Sequence, residues 1–151
     1  MFYGELIRKP LEIDKIVREL TLTATNKGGG ALVMFLGFVK GVVDGTEVKE
    51  LVYEAHEVYA SKKLKEIAES YKHTKGVIDV IIYHRIGNLK PGEPTVYIFV
   101  TATNRRIAFN VASEVLERVK REVPIFKLER RSNGEYWIIG NGKRVKRESS
   151  K

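Results

Sequence analysis

The chain has 151 residues, a formal net charge of +8 and no cysteine. That length suits one domain with a proper core, and the absence of cysteine excludes disulfides, thiolate metal sites and a cysteine nucleophile. The histidines, His56, His73 and His84, lie too far apart for a metal-ligand spacing, and no apolar run is long enough to cross a membrane.

Taken in order, Phe2 to Ile7 is a short apolar-rich edge strand, and Pro10 opens a helix in which Ile13, Ile16, Val17 and Leu20 share a face. The glycines of Thr25 to Gly30 belong to a turn and make no phosphate-binding loop, because no Gly-Lys-Ser/Thr follows. Ala31 to Val39 is apolar on both faces, which predicts a central strand. Asp44-Gly45 then marks a hairpin back into Val48 to Ala55. Glu57 to Tyr71 is an amphipathic helix with Ala60, Leu64, Ile67, Ala68 and Tyr71 on one face. Strands follow at Gly76 to Ile86 and Thr95 to Thr103, either side of a turn at Lys90 to Glu93.

A second long helix is expected over Asn104 to Glu122, capped by Asn104 or Thr103 and stopped by Pro124, which disfavours helical backbone at Val123. Ile125 to Arg130 and Glu135 to Ile139 pair across Ser132-Asn133-Gly134. Hairpins and helices alternate without regular crossovers, so the fold class is α+β, a mostly antiparallel sheet with helices packed on it. Residues 1–142 form one domain. The segment 143–151 has five basic residues and one acid and is expected as a flexible, solvated end.

The chemistry-bearing residues gather at element ends. Lys120 falls in the last turn of the long helix and Lys127 on the strand after Pro124, so both lean over one corner. Each has an ordinary reading taken alone: a helix C-terminus favours lysine, and a strand lysine commonly faces solvent. Arg105 and Arg106, in a first helical turn, oppose the helix dipole unless an anion sits there; their stems could instead cover apolar surface. His84 and Arg85 read as a strand end facing solvent, Trp137 as core, and Tyr53 and Glu54 as ordinary strand residues.

Several segments together resemble the large, catalytic subunit of molybdopterin synthase. They are GALVMFLGFVKG (Gly30 to Gly41), LVYEAHEVYA (Leu51 to Ala60), HRIGNLKPGE (His84 to Glu93), TNRRIAF (Thr103 to Phe109) and LERVKREVPIFKLE (Leu116 to Glu129), followed by Trp137. The resemblance implies an α/β-hammerhead type of fold and a cytoplasmic enzyme with no cofactor and no metal. It implies sulfur transfer from the thiocarboxylated C-terminal Gly-Gly of a small ubiquitin-like subunit to cyclic pyranopterin monophosphate, forming the dithiolene of molybdopterin. The assembly it implies is a homodimer within a heterotetramer, with neither membrane nor nucleic acid as partner.

Carried over by motif, the catalytic pair falls on Lys120 and Lys127. The substrate-binding positions fall on Lys40, Asn104, Arg105 and Glu129, with Arg105 acting from the second subunit of the dimer. Two positions depart from the family pattern. Lys40 stands where arginine is common, which keeps charge but loses the bidentate fork. Asn104 stands where histidine is common, which keeps hydrogen bonding but loses proton donation near neutral pH. Two other readings follow from the same residues: a partner-binding scaffold without turnover, and a nucleic-acid-binding module suggested by the charge. Against the latter, the sheet shows no obvious exposed aromatic pair with interleaved basic residues.

Overall fold

Strands that are apolar on both faces need cover on both faces, and that requirement organises the first half of the molecule. The computed structural model describes residues 1–140 and 142–148. Its first sheet contains β1 (Phe2–Ile7), β2 (Ala31–Phe38), β5 (Val77–Arg85) and β7 (Pro94–Ala102), in the order β1-β5-β7-β2. One face packs on α2 (Glu57–Glu69) and α3 (Arg105–Glu122) through Leu64, Ile67, Val80, Ile82, Ile98, Val100, Ala108 and Val115. The other face packs on α1 (Ile13–Thr25), where Leu20, Ile81, Tyr97 and Phe99 are buried with Val17, Leu32 and Leu36 against them.

The second sheet is built from β3 (Val42–Val43), β4 (Thr46–Ala55), β6 (Gly87–Leu89), β8 (Ile125–Arg131), β9 (Gly134–Ile139) and β10 (Lys143–Lys146). Its path runs β10-β9-β8-β4-β3, with β6 also paired to β4. Among the described residues β1 with β5 is the one parallel pair; the rest are antiparallel. The β3–β4 hairpin turns at Asp44 and Gly45, which take φ of 51° and 73°, the left-handed pair that a two-residue turn of this hand requires.

The α+β class and the antiparallel bias are as expected, with several differences in detail. There are two sheets rather than one. β2 is an edge strand, and β7, buried along nearly its whole length, is central. β2 turns Ala31, Val33 and Phe35 to the α3 side, while on its other face Leu32 and Leu36 pack on the Leu20, Tyr97 and Phe99 cluster and Met34 and Phe38 stay exposed, so apolarity on both faces did not fix its lateral position. The first helix begins at Ile13 rather than at Pro10. The basic tail is not a free end from Lys143: Lys143–Lys146 pairs with β9, and Arg144 ion-pairs with buried Glu129 at 2.9 Å. The strand forms because Val145 lies against Trp137 while the charged residues on either side reach carboxylates or solvent. Residues 149–151 of that tail lie outside the described residues.

Candidate active site

The site lies where the two sheets meet. The α3 stripe Ala108, Val111, Ala112, Val115 and Val119 is buried against the first sheet. The helix ends at Val123, whose extended backbone (φ −90°, ψ 122°) is the conformation Pro124 imposes on its predecessor. Chain reversal there places β8 directly beyond the helix end. Lys120 therefore stands over the start of β8, from which Lys127 rises on the same side as Ile125. Lys40 arrives from the end of β2, just past a register shift at Gly37 and Phe38. Gly37 is required by close approach: a Cβ there would come within 2.9 Å of Val96 Cγ1 and 3.1 Å of Thr95 Oγ1.

These elements enclose a cavity of about 280 Å³. Lys40, Lys120 and Lys127 supply its charge; Phe35, Phe38, Leu116 and Val119 supply apolar wall; Tyr53, His84 and Thr95 supply its polar floor. Lys40 and Lys120 are exposed at the rim, and Lys127 is half-buried. Burial, with the neighbouring Lys120 charge adding to it, lowers the Lys127 ammonium below the usual lysine range. The Lys127 Nζ also lies 5.6 Å from the centre of the Tyr53 ring, within the range of a cation over an aromatic face. Burial pushes the Tyr53 phenol up to about 12, so it stays protonated as a donor.

His84 departs most from the sequence reading. It is buried, not at a solvent-facing strand end, and burial holds its imidazole down at about 4, with the Lys127 charge acting in the same direction. Its Nδ1 lies 2.8 Å from the Arg85 carbonyl oxygen. A carbonyl only accepts, so Nδ1 carries the proton and Nε2 is a bare acceptor. Arg85 is buried as well: its guanidinium donates to the carbonyl oxygens of Arg8 at 3.1 Å and Pro94 at 3.3 Å, and to Glu93 at 3.4 Å. Sequence reasoning missed His84 and Tyr53 because each is buried where its own sheet meets the other, a contact between residues distant in sequence. The one available signal was the alternation along β5: His84 continues the inward row of Val80 and Ile82.

The remaining expected site residues fall elsewhere in the chain. Asn104 caps α3, its Oδ1 accepting from the Ile107 N–H at 3.0 Å. Arg105 and Arg106 are exposed in the first turn, which has no acidic residue, and with Phe109 and Asn110 they rim a shallow depression. Lys120 is fifteen residues further along the same helix, about 22 Å away at 1.5 Å per residue. Glu129 does not line the lysine cavity. It is 2% exposed and clasped by Arg131 at 2.8 Å and Arg144 at 2.9 Å. Burial pushes its carboxyl up, but the two arginines outweigh that and hold it below the usual carboxylate range.

Trp137 is not core. It is 37% exposed on the outer face of the second sheet, near Phe126, where Arg130 and Arg147 also project. This is an exposed aromatic pair with neighbouring basic residues, which the sequence reading did not anticipate. Both arginines are already paired, Arg130 with Glu50 and Glu135 and Arg147 with Glu135 at 3.1 Å, so among the described residues this aromatic pair is not flanked by free arginines for a polyanion. Among the described residues no cluster of three metal-ligating side chains occurs, and no helix is long and apolar enough to cross a membrane.

Fold and site together define an α+β protein with a three-lysine cavity at the seam of two sheets, suited to an anionic ligand that lays an uncharged part on an aromatic and aliphatic wall. Residues 6–122 match the family model described as MoaE protein. The molybdopterin synthase catalytic subunit of Pyrococcus abyssi is 34% identical over 136 residues, which covers 90% of each chain. That of Staphylococcus aureus (strain COL) is 34% identical over 148 residues, 95% of this chain and 97% of the other. Among solved structures, molybdopterin synthase from Staphylococcus aureus superposes with a TM-score of 0.76 at 34% identity, covering 88% of this chain and 94% of that one. A Helicobacter pylori structure, a complex of subunits 1 and 2 of molybdopterin-converting factor, shares the fold with a TM-score of 0.68 at 21% identity, over 95% of this chain and 88% of that one. The chain belongs to the MoaE family.

Proposed function

We propose that the protein is the catalytic subunit of molybdopterin synthase, transferring sulfur from the thiocarboxylated C-terminus of a small ubiquitin-like subunit to cyclic pyranopterin monophosphate. The observation that carries the reading is the convergence of Lys40, Lys120 and Lys127 on one cavity with an apolar and aromatic wall. A pterin phosphate and a carboxylate-terminated peptide are both anionic, and the wall suits the flat ring. Lys120, exposed at the rim, exchanges protons with the reacting atoms. Lys127 holds the substrate or a charged intermediate, and its lowered proton affinity makes its amine available nearer neutrality. Lys40 takes phosphate as a point charge. No metal or cofactor enters the proposal.

The same reading assigns Asn104 and Arg105 to a neighbouring subunit's substrate. Within one chain they stand at the far end of α3 from Lys120, beyond the reach of an arginine side chain, so a homodimer is what brings them to the cavity. With one carrier subunit on each copy, the assembly is a heterotetramer, placed in the cytoplasm. Asn104 orients the first turn through its cap, and Arg105 supplies the guanidinium for phosphate. Glu129 acts on the site indirectly, by tying β8 to β10 through Arg144.

The test is sulfur transfer in a purified mixture of this protein, a thiocarboxylated carrier and cyclic pyranopterin monophosphate. The expected result is the dithiolene pterin. Inactive Lys120→Ala and Arg105→Ala proteins, mixed and allowed to exchange subunits, should regain activity, because one cavity of the mixed dimer then has both residues. A stable complex without product would leave only a scaffold, and no complex at all would overturn the reading.

A further inference from the structure

Given the function proposed above, His84 is a buried polar group in the cavity that this function leaves unused. Three observations isolate it. His84 is buried and lines the same cavity as the lysines. Its Nδ1–H is spent on the Arg85 carbonyl oxygen, 2.8 Å away, which fixes one tautomer. The Tyr53 ring meets it edge-on at 5.3 Å, which fixes the plane of the imidazole. No hydrogen bond from the described residues reaches Nε2, yet Nε2 is not a sealed, unpartnered atom; Arg85 Nε is the one of that kind among the described side chains.

A buried acceptor held in one tautomer and one orientation, with its lone pair left for the cavity, is arranged to take a donor from whatever enters. As ammonium groups the lysines around it offer only donors and therefore select the anionic part of a ligand. They cannot orient the part that carries N–H groups. A pterin presents ring N–H and amino donors along one edge, and among the side chains that line the cavity His84 is the one uncharged acceptor without a proton of its own on the accepting atom; Tyr53 and Thr95 carry hydroxyls that rotate.

We propose that His84 Nε2 accepts a hydrogen bond from an N–H of the pterin ring and so sets which face and edge of the substrate meet Lys120 and Lys127. His84 is in this sense a substrate-orienting residue, distinct from the charged groups that hold the phosphate.

The experiment uses the full protein with its carrier subunit. In His84→Asn the shorter amide still reaches the Arg85 carbonyl but places nothing where Nε2 was. In His84→Gln the longer amide restores an acceptor near Nε2. The expected result is a KM for the pterin raised about tenfold in His84→Asn, the loss of one hydrogen bond. His84→Gln should recover part of it, and carrier binding should be unchanged in both. A structural role alone would give the opposite ranking, because Asn keeps the Arg85 bond. On the wild-type protein, ¹⁵N spectra of the imidazole should show Nε2 shifting upfield on addition of the pterin phosphate while the Nδ1–H signal stays. An unmoved Nε2 at saturating substrate, or a wild-type KM in His84→Asn, overturns the inference and leaves the proposed function standing. A wild-type protein that makes no dithiolene overturns both.

Discussion

Tyr53 on β4 and His84 on β5 meet edge to face, ring centroids 5.3 Å apart and planes at 65°, and this contact joins the two sheets directly beneath the lysines. The seam is thus both a packing interface and the floor of the site. Tyr53→Ala removes a buried ring from it and should cost about 3–5 kcal/mol in denaturant unfolding. Tyr53→Phe keeps the ring and should cost far less. Equal losses would mean that the hydroxyl, not the ring, holds the seam.

His84 makes stability acid-sensitive in a defined window. The unfolded chain binds the imidazole proton near 6.5, whereas the folded protein binds it only at about 4. Between those values the unfolded state carries more protons, so stability falls as pH is lowered from 6.5 towards 4 and then levels off. The shift corresponds to about 3 kcal/mol. Unfolding curves of wild type and His84→Asn, compared at pH 7 and pH 4, should differ by that pH-dependent amount; parallel curves would contradict it.

Lys127 should titrate below ordinary lysines, with burial as the larger cause and Lys120 as the smaller. Replacing Lys120 with Met should therefore raise the Lys127 titration without restoring it to the solvent value. Lysine side-chain NMR across the alkaline range reads this directly. Full restoration would make the neighbouring charge, not burial, the dominant cause.

Lys120 is exposed, so Lys120→Ala should change stability by no more than about 0.5 kcal/mol. Sulfur transfer should fall by a factor on the order of 10² to 10⁴, the usual worth of a positioned proton donor. Single-turnover assays with the carrier complex already formed separate this from weakened assembly. A mutant with wild-type turnover would remove Lys120 from the chemistry.

Glu129→Gln leaves Arg131 and Arg144 without their shared carboxylate in a buried setting and should destabilise by about 3–5 kcal/mol. Deleting the chain from Lys143 onward removes Arg144 and β10 and should destabilise through the same cluster. If Glu129→Gln instead kept full stability and raised KM for the pterin, Glu129 would be a substrate contact after all.

Local pattern and covalent geometry determined much of this protein from the sequence alone. Pro124 ends α3, the apolar stripe from Ala108 to Val119 sets its buried face, and Asp44-Gly45 turns the first hairpin, because backbone restriction and side-chain period act within a few residues. The placing of Lys120 and Lys127 over one corner followed from the same short-range reasoning. What only tertiary structure decided depends on neighbours distant in sequence. β2 is apolar on both faces yet lies at a sheet edge, with α3 over one face and Met34 and Phe38 left exposed on the other. His84 is buried and uncharged because Tyr53 arrives from another sheet, and Glu129 is held in the ion cluster because β10 brings Arg144 beside it. Burial and charge pairing are sums over such neighbours, and one segment read alone does not contain them.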